Sequence, residues 1–305
     1  MRLGIDLGGT KIEAALLDRD GAIVRRERVR TPRGDYAETI AAIATLITAV
    51  GGEAPWALPV GIGIPGTISP ATGLIKNANS TWLIGKAFDR DLEAALGRKV
   101  RLANDADCFA LSEAADGAAA HARSVFGVIL GTGVGGGLVI NGALHGGPNA
   151  IAGEWGHNPL PWPTEDEADA PECYCGKRGC IETWLSGPAL ERNAARHGIG
   201  DERALDIARK AQSGDKAATD VLDLYCDRLA RALAGVINIV DPEVIVLGGG
   251  LSAIDRLYEE VPALLPRYVF SDTVETRLVR NVHGDSSGVR GAAWLWPDRE
   301  AAPDA

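Results

Sequence analysis

The 305 residues include 46% hydrophobic and 24% charged side chains, a globular balance that sets the chain apart from disordered sequences and suits two compact domains or one large α/β domain. A formal net charge of −10 with no lysine- or arginine-rich run argues against a nucleic-acid surface, which needs clustered positive charge, but leaves room for a nucleotide held by backbone amides. No stretch approaches the roughly 20 apolar residues of a membrane helix, and the first residues lack a secretory pattern. The expectation is a cytoplasmic protein without a membrane partner.

The chain opens with a strand over 2–7 that ends in the pair Gly8-Gly9. Apolar and β-branched residues over 11–17 and 22–28 predict two further antiparallel strands. Apolar positions at Ile40, Ile43, Ala44, Leu46, Ile47 and Val50 have helical spacing and predict a helix over 36–50. Strands follow at 59–64, stopped by Pro65-Gly66, and at 100–103, with a helix over about 105–120. A second region begins like the first, with a strand over 124–130 ending in Gly131-Thr132-Gly133 and a strand pair over 136–140 and 143–145 around Asn141-Gly142. This weak echo of the N-terminal strand–glycine turn–strand unit reads as a structural duplication. Helices are expected over 205–212 and 217–239, and a buried strand over 244–247 before Gly248-Gly249-Gly250, with Pro242 marking the boundary. No low-complexity linker separates the halves, so the domain boundary is placed near residue 118.

A phosphate needs close backbone approach and several amide donors, which glycine allows because it has no Cβ. Asp6-Leu7-Gly8-Gly9-Thr10-Lys11 offers this with a carboxylate, a hydroxyl and an ammonium beside the turn. Gly131, Thr132, Gly133 and Gly135 in the run 131–137 offer a second such surface, and Gly249 and Gly250 a third. One such turn reads as readily as a tight hairpin; three, each after a strand, point to a nucleotide. Neither a Gly-x4-Gly-Lys-Ser/Thr loop nor a Gly-x-Gly-x-x-Gly spacing is present, which sets aside a P-loop and a simple Rossmann site.

These turns, together with Gly153-Glu154-Trp155-Gly156-His157 and the cysteines that follow, resemble the ROK family of repressors, open reading frames and sugar kinases. The resemblance runs from residue 3 to about 296. Within the family, 76–82 and 283–296 are most similar to bacterial fructokinases of the manno(fructo)kinase type. The resemblance implies an α/β, actin-like ATPase (ribonuclease H-like) fold: two related α/β domains around a cleft, one over 1–117 plus about 288–300 and the other over 118–287. It also implies that the final helix packs back on the first domain, and that the chain forms a homodimer.

Five cysteines occur, three of them at 173, 175 and 180. With His157 they form a Cys3His donor set suited to a closed, structural zinc site; the alternative is three reduced thiols in a loop. Cys108 and Cys226 read as core residues. Phosphoryl transfer to an alcohol needs a base for the hydroxyl proton. Asn104-Asp105 follows a strand and opens a helix, and Asp105 there reads equally as a helix N-cap; the resemblance implies that it is the general base. Asp6 is a candidate for orienting Mg²⁺ through water, or a turn carboxylate. The family pattern sets Asn79, Asn104, Glu154, His157 and Glu182 at the hexose, with His157 using one ring nitrogen for zinc and the other for a sugar hydroxyl. Trp82 shapes the cleft or packs in the core. The expectation is an ATP- and Mg²⁺-dependent kinase making fructose 6-phosphate from fructose, with mannose, glucose or an N-acetyl-hexosamine as alternative substrates. The other readings are a sugar-responsive repressor, disfavoured because the phosphate turn begins at Asp6, and a sugar sensor without chemistry. The residues after Pro297, rich in Ala, Asp and Pro, read as disordered.

Overall fold

The structure, a computed structural model, describes residues 1–52 and 58–297; the expected disordered tail lies outside the described residues. The chain divides into two compact units. One comprises Met1–His121, Gly142–Ala152 and the chain from His283; the other comprises Ala122–Asn141 and Gly153–Val282.

In the first unit, β1 (Arg2–Leu7) and β2 (Lys11–Leu17) pair antiparallel, and so do β2 and β3 (Ile23–Arg30). Helix α1 (Tyr36–Gly51), capped by the Asp35 carboxylate on the Glu38 amide, leads to β4 (Val60–Ile64), which lies parallel to β1. A short hairpin of β5 (Thr67–Ile68) and β6 (Ile75–Lys76) and helix α2 (Phe88–Leu96) precede β7 (Val100–Asn104), parallel to β4. The sheet order is β3-β2-β1-β4-β7. Leu3, Ile5 and Leu7 alternate with smaller residues and are buried, as are Ile43, Ile47 and Val50 on the inner stripe of α1. The helix shows the period-3.6 burial its pattern predicts, whereas β1 is buried on both faces, Arg2 and Gly4 included. Helix α3 (Asp105–Ala115) stops five residues short of the expectation. Buried Glu113 accepts the amide of Ala118 at 2.9 Å and ends the helix in a turn.

The same carboxylate accepts the His283 amide at 3.2 Å and the Ser287 hydroxyl at 3.1 Å, which anchors the start of α9 (Ser287–Trp294). Helix α9 lies on the sheet and on α3 at backbone distance. A Cβ on Gly4 would stand 2.0 Å from the Val289 carbonyl oxygen, one on Gly61 1.8 Å from that of Ala292, and one on Gly291 1.7 Å from that of Cys108. Only glycine fits at these three positions. Gly291→Ala should therefore reverse the usual helix-interior preference of about 1 kcal/mol for alanine. It should instead cost about 3 kcal/mol, seen as a lower urea midpoint at unchanged m-value.

In the second unit, β8 (Ser124–Leu130) pairs antiparallel with β9 (Val134–Ile140) and parallel with β11 (Val244–Gly248), which is parallel to β12 (Arg277–Arg280). The order β9-β8-β11-β12 repeats β2-β1-β4-β7 with the same strand directions, so the echo at the glycine turns is a duplication of topology. The two-residue strand β10 (Ala143–Leu144) falls in the segment that clusters with the first unit. Helices α4 (Glu182–Leu185), α5 (Gly187–Arg196), α6 (Ala204–Gln212), α7 (Lys216–Val240) and α8 (Arg256–Leu264) complete the second unit. Helix α7 buries Val221, Leu222, Tyr225, Leu229 and Leu233, together with the charged Arg228 and Arg231. Both arginines grip Glu167: Arg228 Nε donates to Oε1 at 2.7 Å, and Arg231 Nη1 and Nη2 donate to Oε2 and Oε1 at 2.9 and 2.8 Å. Arg231 also bonds the carbonyls of Pro161 and Trp162. The segment that leads to the cysteines is thereby clamped to α7. Cys108 and Cys226 are buried core residues, and Trp82 packs half-buried against the first core.

Candidate active site

The expected site residues fall into two sets, one on each unit. In the first set, Asp6 lies near the end of β1, in register with Glu13 on β2 and Gly63 on β4. Burial first, then the negative charges of Asp105 and Glu13, push its carboxyl up to about 6. Lys11 and Arg28 act in the opposite direction but more weakly, and a buried carboxylate beside Asp105 suits Mg²⁺ with its retained waters. The turn after β1 closes through the Gly8 amide on the Lys11 carbonyl at 3.0 Å. Thr31 Oγ1 and Arg33 Nε donate to the Gly8 and Gly9 carbonyls, each at 2.7 Å. With its carbonyls occupied in this way, the turn leaves Gly9 facing open space beside the exposed Thr10 and Lys11.

Asn104 and Asp105 divide the work at the start of α3. Asn104 is the N-cap: its Oδ1 accepts the Ala106 amide at 2.8 Å, and its Nδ2 donates to the Gly66 carbonyl at 3.3 Å. Asp105 occupies the first helical position, exposed, with Oδ1 also 2.8 Å from the Ala106 amide. The N-cap alternative for Asp105 is thus taken by its neighbour. Gly66, at φ +91°, sits so close to the 76–78 segment that a Cβ would meet the Lys76 carbonyl at 2.5 Å. This contact brings the loop carrying exposed Asn79 toward the Asn104 cap.

The second unit gathers its residues around β9. The Gly131 amide bonds the Gly133 carbonyl at 3.0 Å, and the Gly187 amide bonds the Gly131 carbonyl at 2.8 Å. Thr132 is exposed on this turn. Glu182 Oε2 accepts the Val134 amide at 2.9 Å, and a Cβ on Gly133 would come 2.6 Å from the same oxygen. Gly249, at φ +78°, lies against the end of β8, where a Cβ would stand 2.4 Å from the Leu130 carbonyl. The second and third glycine turns are therefore neighbours, with Gly250 open beside them. The Gly153–His157 motif nests on the same strand: Trp155 Nε1 donates to the Gly135 carbonyl at 2.9 Å, and a Cβ on Gly156 would meet the Val134 carbonyl at 2.3 Å. Glu154 is exposed ahead of the short turn that carries His157.

His157, Cys173, Cys175 and Cys180 converge, with their ligand atoms all within 4.8 Å of one another. His157 Nδ1 stands 3.6 Å from Cys173 Sγ, and Cys175 Sγ 3.6 Å from Cys180 Sγ. A tetrahedron with Zn–S bonds of about 2.3 Å has edges of about 3.8 Å, so the donor set fits zinc in both chemistry and size. Left-handed Gly176 (φ +85°) and Gly179 (φ +71°) turn the chain between the ligands. Burial and neighbouring thiols push Cys180 up to about 12, while the Lys177 amide lowers Cys175; a bound metal would hold all three as thiolates.

Two features were not anticipated from the sequence. Tyr174, between two ligand cysteines, points its hydroxyl to within 3.0 Å of His157 Nε2. A cavity of about 660 Å³, large enough for a nucleoside, opens beside the Gly250–Ala253 turn. Leu205, Ala208 and Ala211 of α6 line it, with Ile254 and Arg256 across from them. An apolar helix face carries no signal that one side of it stays uncovered.

A model of the ROK family matches residues 2–299. The chain belongs to the ROK family. Among ROK relatives, an N-acetyl-D-glucosamine kinase of Aliivibrio salmonicida is 40% identical over 299 residues, spanning 97% of this chain and 99% of the relative. The ROK hexokinase of Thermus thermophilus is 31% identical, with a TM-score of 0.82 over 96% of this chain and 97% of its own. A ROK family glucokinase of Streptomyces griseus, solved with glucose and AMPPNP, is 26% identical with a TM-score of 0.75, covering 96% and 98%. The fold is the actin-like ATPase fold expected of the ROK family. The narrower resemblance to fructokinases finds no support in these relatives, which are named as an N-acetyl-D-glucosamine kinase, a hexokinase and a glucokinase. Among the described residues no helix is long and apolar enough to cross a membrane.

Proposed function

We propose that this chain is an ATP-dependent sugar kinase whose preferred substrate is N-acetyl-D-glucosamine. The 40% identity to an N-acetyl-D-glucosamine kinase along nearly the whole of both chains carries this reading. Asn79 and Asn104 are the sugar-binding candidates of the first unit, and Glu154, His157 and Glu182 are those of the second. The phosphate-binding candidates are the amides of Gly8–Lys11 in the first unit and of Gly131–Gly135 in the second, and the nucleoside occupies the second unit's cavity beside Gly249-Gly250. Asp105 accepts the proton of the primary hydroxyl as that oxygen attacks the γ-phosphorus, and ADP leaves. Asp6 would hold Mg²⁺ through water, and the ion would supply charge neutralisation on the phosphates. Zinc would be held by His157, Cys173, Cys175 and Cys180, and four protein ligands would give it a structural role, fixing the loop bearing Glu154 and Glu182.

Glucose is the second substrate to consider, because the hexokinase and glucokinase structures share the fold at 31% and 26% identity. Steady-state ADP release with N-acetylglucosamine, glucose, mannose and fructose separates the candidates. The expected order places N-acetylglucosamine at least tenfold above fructose in kcat/KM, from a protein carrying one zinc per chain. A fructose preference would overturn the substrate assignment, and no turnover with any sugar would overturn the kinase.

A further inference from the structure

Tyr174 is pinned by its backbone and loose in its side chain. Cys173 and Cys175 flank it, the Cys173 amide bonds the Lys177 carbonyl at 2.8 Å, and the Gly176 amide bonds the Cys173 carbonyl at 3.0 Å. The tyrosine nevertheless remains 80% exposed. Its contact with His157 is specific: the hydroxyl lies 3.0 Å from Nε2, and the rings meet edge to face with centroids 5.2 Å apart at 88°. His157 turns its other nitrogen, Nδ1, to Cys173 Sγ at 3.6 Å. A metal on Nδ1 leaves the single proton of a neutral imidazole on Nε2. That N–H is one donor with one good direction, and Tyr174 Oη, 3.0 Å away, would then accept it.

We propose that Tyr174 is an internal competitor for the His157 Nε2–H, which a sugar hydroxyl must displace in order to bind. The inference rests on the reading above, in which His157 faces the sugar. Two oxygens cannot both occupy the one donor direction, so the sugar binds only the fraction of molecules in which the phenol has swung away. Its apparent affinity falls by that fraction. A phenol that is exposed and held at one end can swing without disturbing the metal ligands on either side of it. An ordinary net hydrogen bond keeps the donor occupied most of the time, so removing the phenol oxygen should tighten sugar binding about three- to tenfold.

The test is calorimetric titration of N-acetylglucosamine and of glucose into zinc-loaded wild type, Tyr174→Phe and Tyr174→Ala, without nucleotide and with zinc measured in each sample. The expected result is a three- to tenfold lower Kd in both variants at unchanged zinc content, since both lose the hydroxyl. An unchanged or raised Kd in the phenylalanine variant overturns the inference alone. A zinc-loaded wild type that binds neither sugar overturns the sugar-kinase reading and the inference with it.

Discussion

Asp105→Asn is expected to lower kcat by about 10²- to 10⁴-fold, the usual contribution of a positioned general base, while the sugar Kd changes by no more than about threefold. The geometry separates chemistry from folding at this position. Asn104 already caps α3 through Ala106, so the variant keeps the helix start and the main cap, and its unfolding midpoint should match that of wild type. The pH profile supplies a second check. Asp6 is pushed up to about 6 by burial and then by Asp105 and Glu13. Its protonation below that pH in the metal-free enzyme would oppose Mg²⁺ binding, so at limiting Mg²⁺ wild-type activity should fall on the acid side of about 6. Removing the Asp105 charge takes away one of the causes of the shift, so the acid limb of the residual activity should move to lower pH. Wild-type turnover in Asp105→Asn would overturn the general-base assignment.

Glu167→Gln should cost about 3–5 kcal/mol of stability, because it leaves Arg228 and Arg231 buried without the carboxylate they share. The wild-type carboxyl carries its own pH signature. Burial alone would raise it, but hydrogen bonds from Arg231 and Arg228 and from the Thr164 amide hold it down at about 2, against an ordinary value of 4.5. A depressed carboxyl contributes its full stabilisation above the unfolded value and loses it as the pH falls toward the folded one. The difference in unfolding free energy between wild type and variant should therefore be constant above about pH 4.5 and shrink between 4.5 and about 2. Urea unfolding across that range measures it, and a difference that stays flat would mean that the carboxylate charge is not what matters.

The strands flanking the glycine turns could be read from the sequence because alternation and apolar runs end sharply there: β1, β2 and β8 have the bounds expected. The residue pattern gave no bounds for α8, which contains Pro262, or for α9, which the family resemblance implied and which is eight residues long with Gly288 and Gly291 inside it; both run against helix propensity and exist because tertiary packing outweighs it. The adjacent residues Asn104 and Asp105 are both competent caps, and only the hydrogen bonds decide between them. The Cys3His cluster was visible from its spacing because thiols that dense have few other uses. Tyr174 was hidden by standing between ligands that draw attention to themselves. Arg228 and Arg231, charges in the apolar stripe of α7, were a readable anomaly. Their partner sits 64 residues upstream of Arg231, a separation that no local pattern spans.

The glycine-lined seat of α9 bears on how the polypeptide is made. Gly4 and Gly61 emerge early from the ribosome, yet the helix they accommodate is translated after every strand of both sheets. Until it arrives, the first unit holds β1 and β4 with one backbone face bare, while the second unit has all its strands and can close first. Vectorial synthesis would thus leave the N-terminal unit the last to finish folding, reversing the N-to-C order usual for consecutive domains.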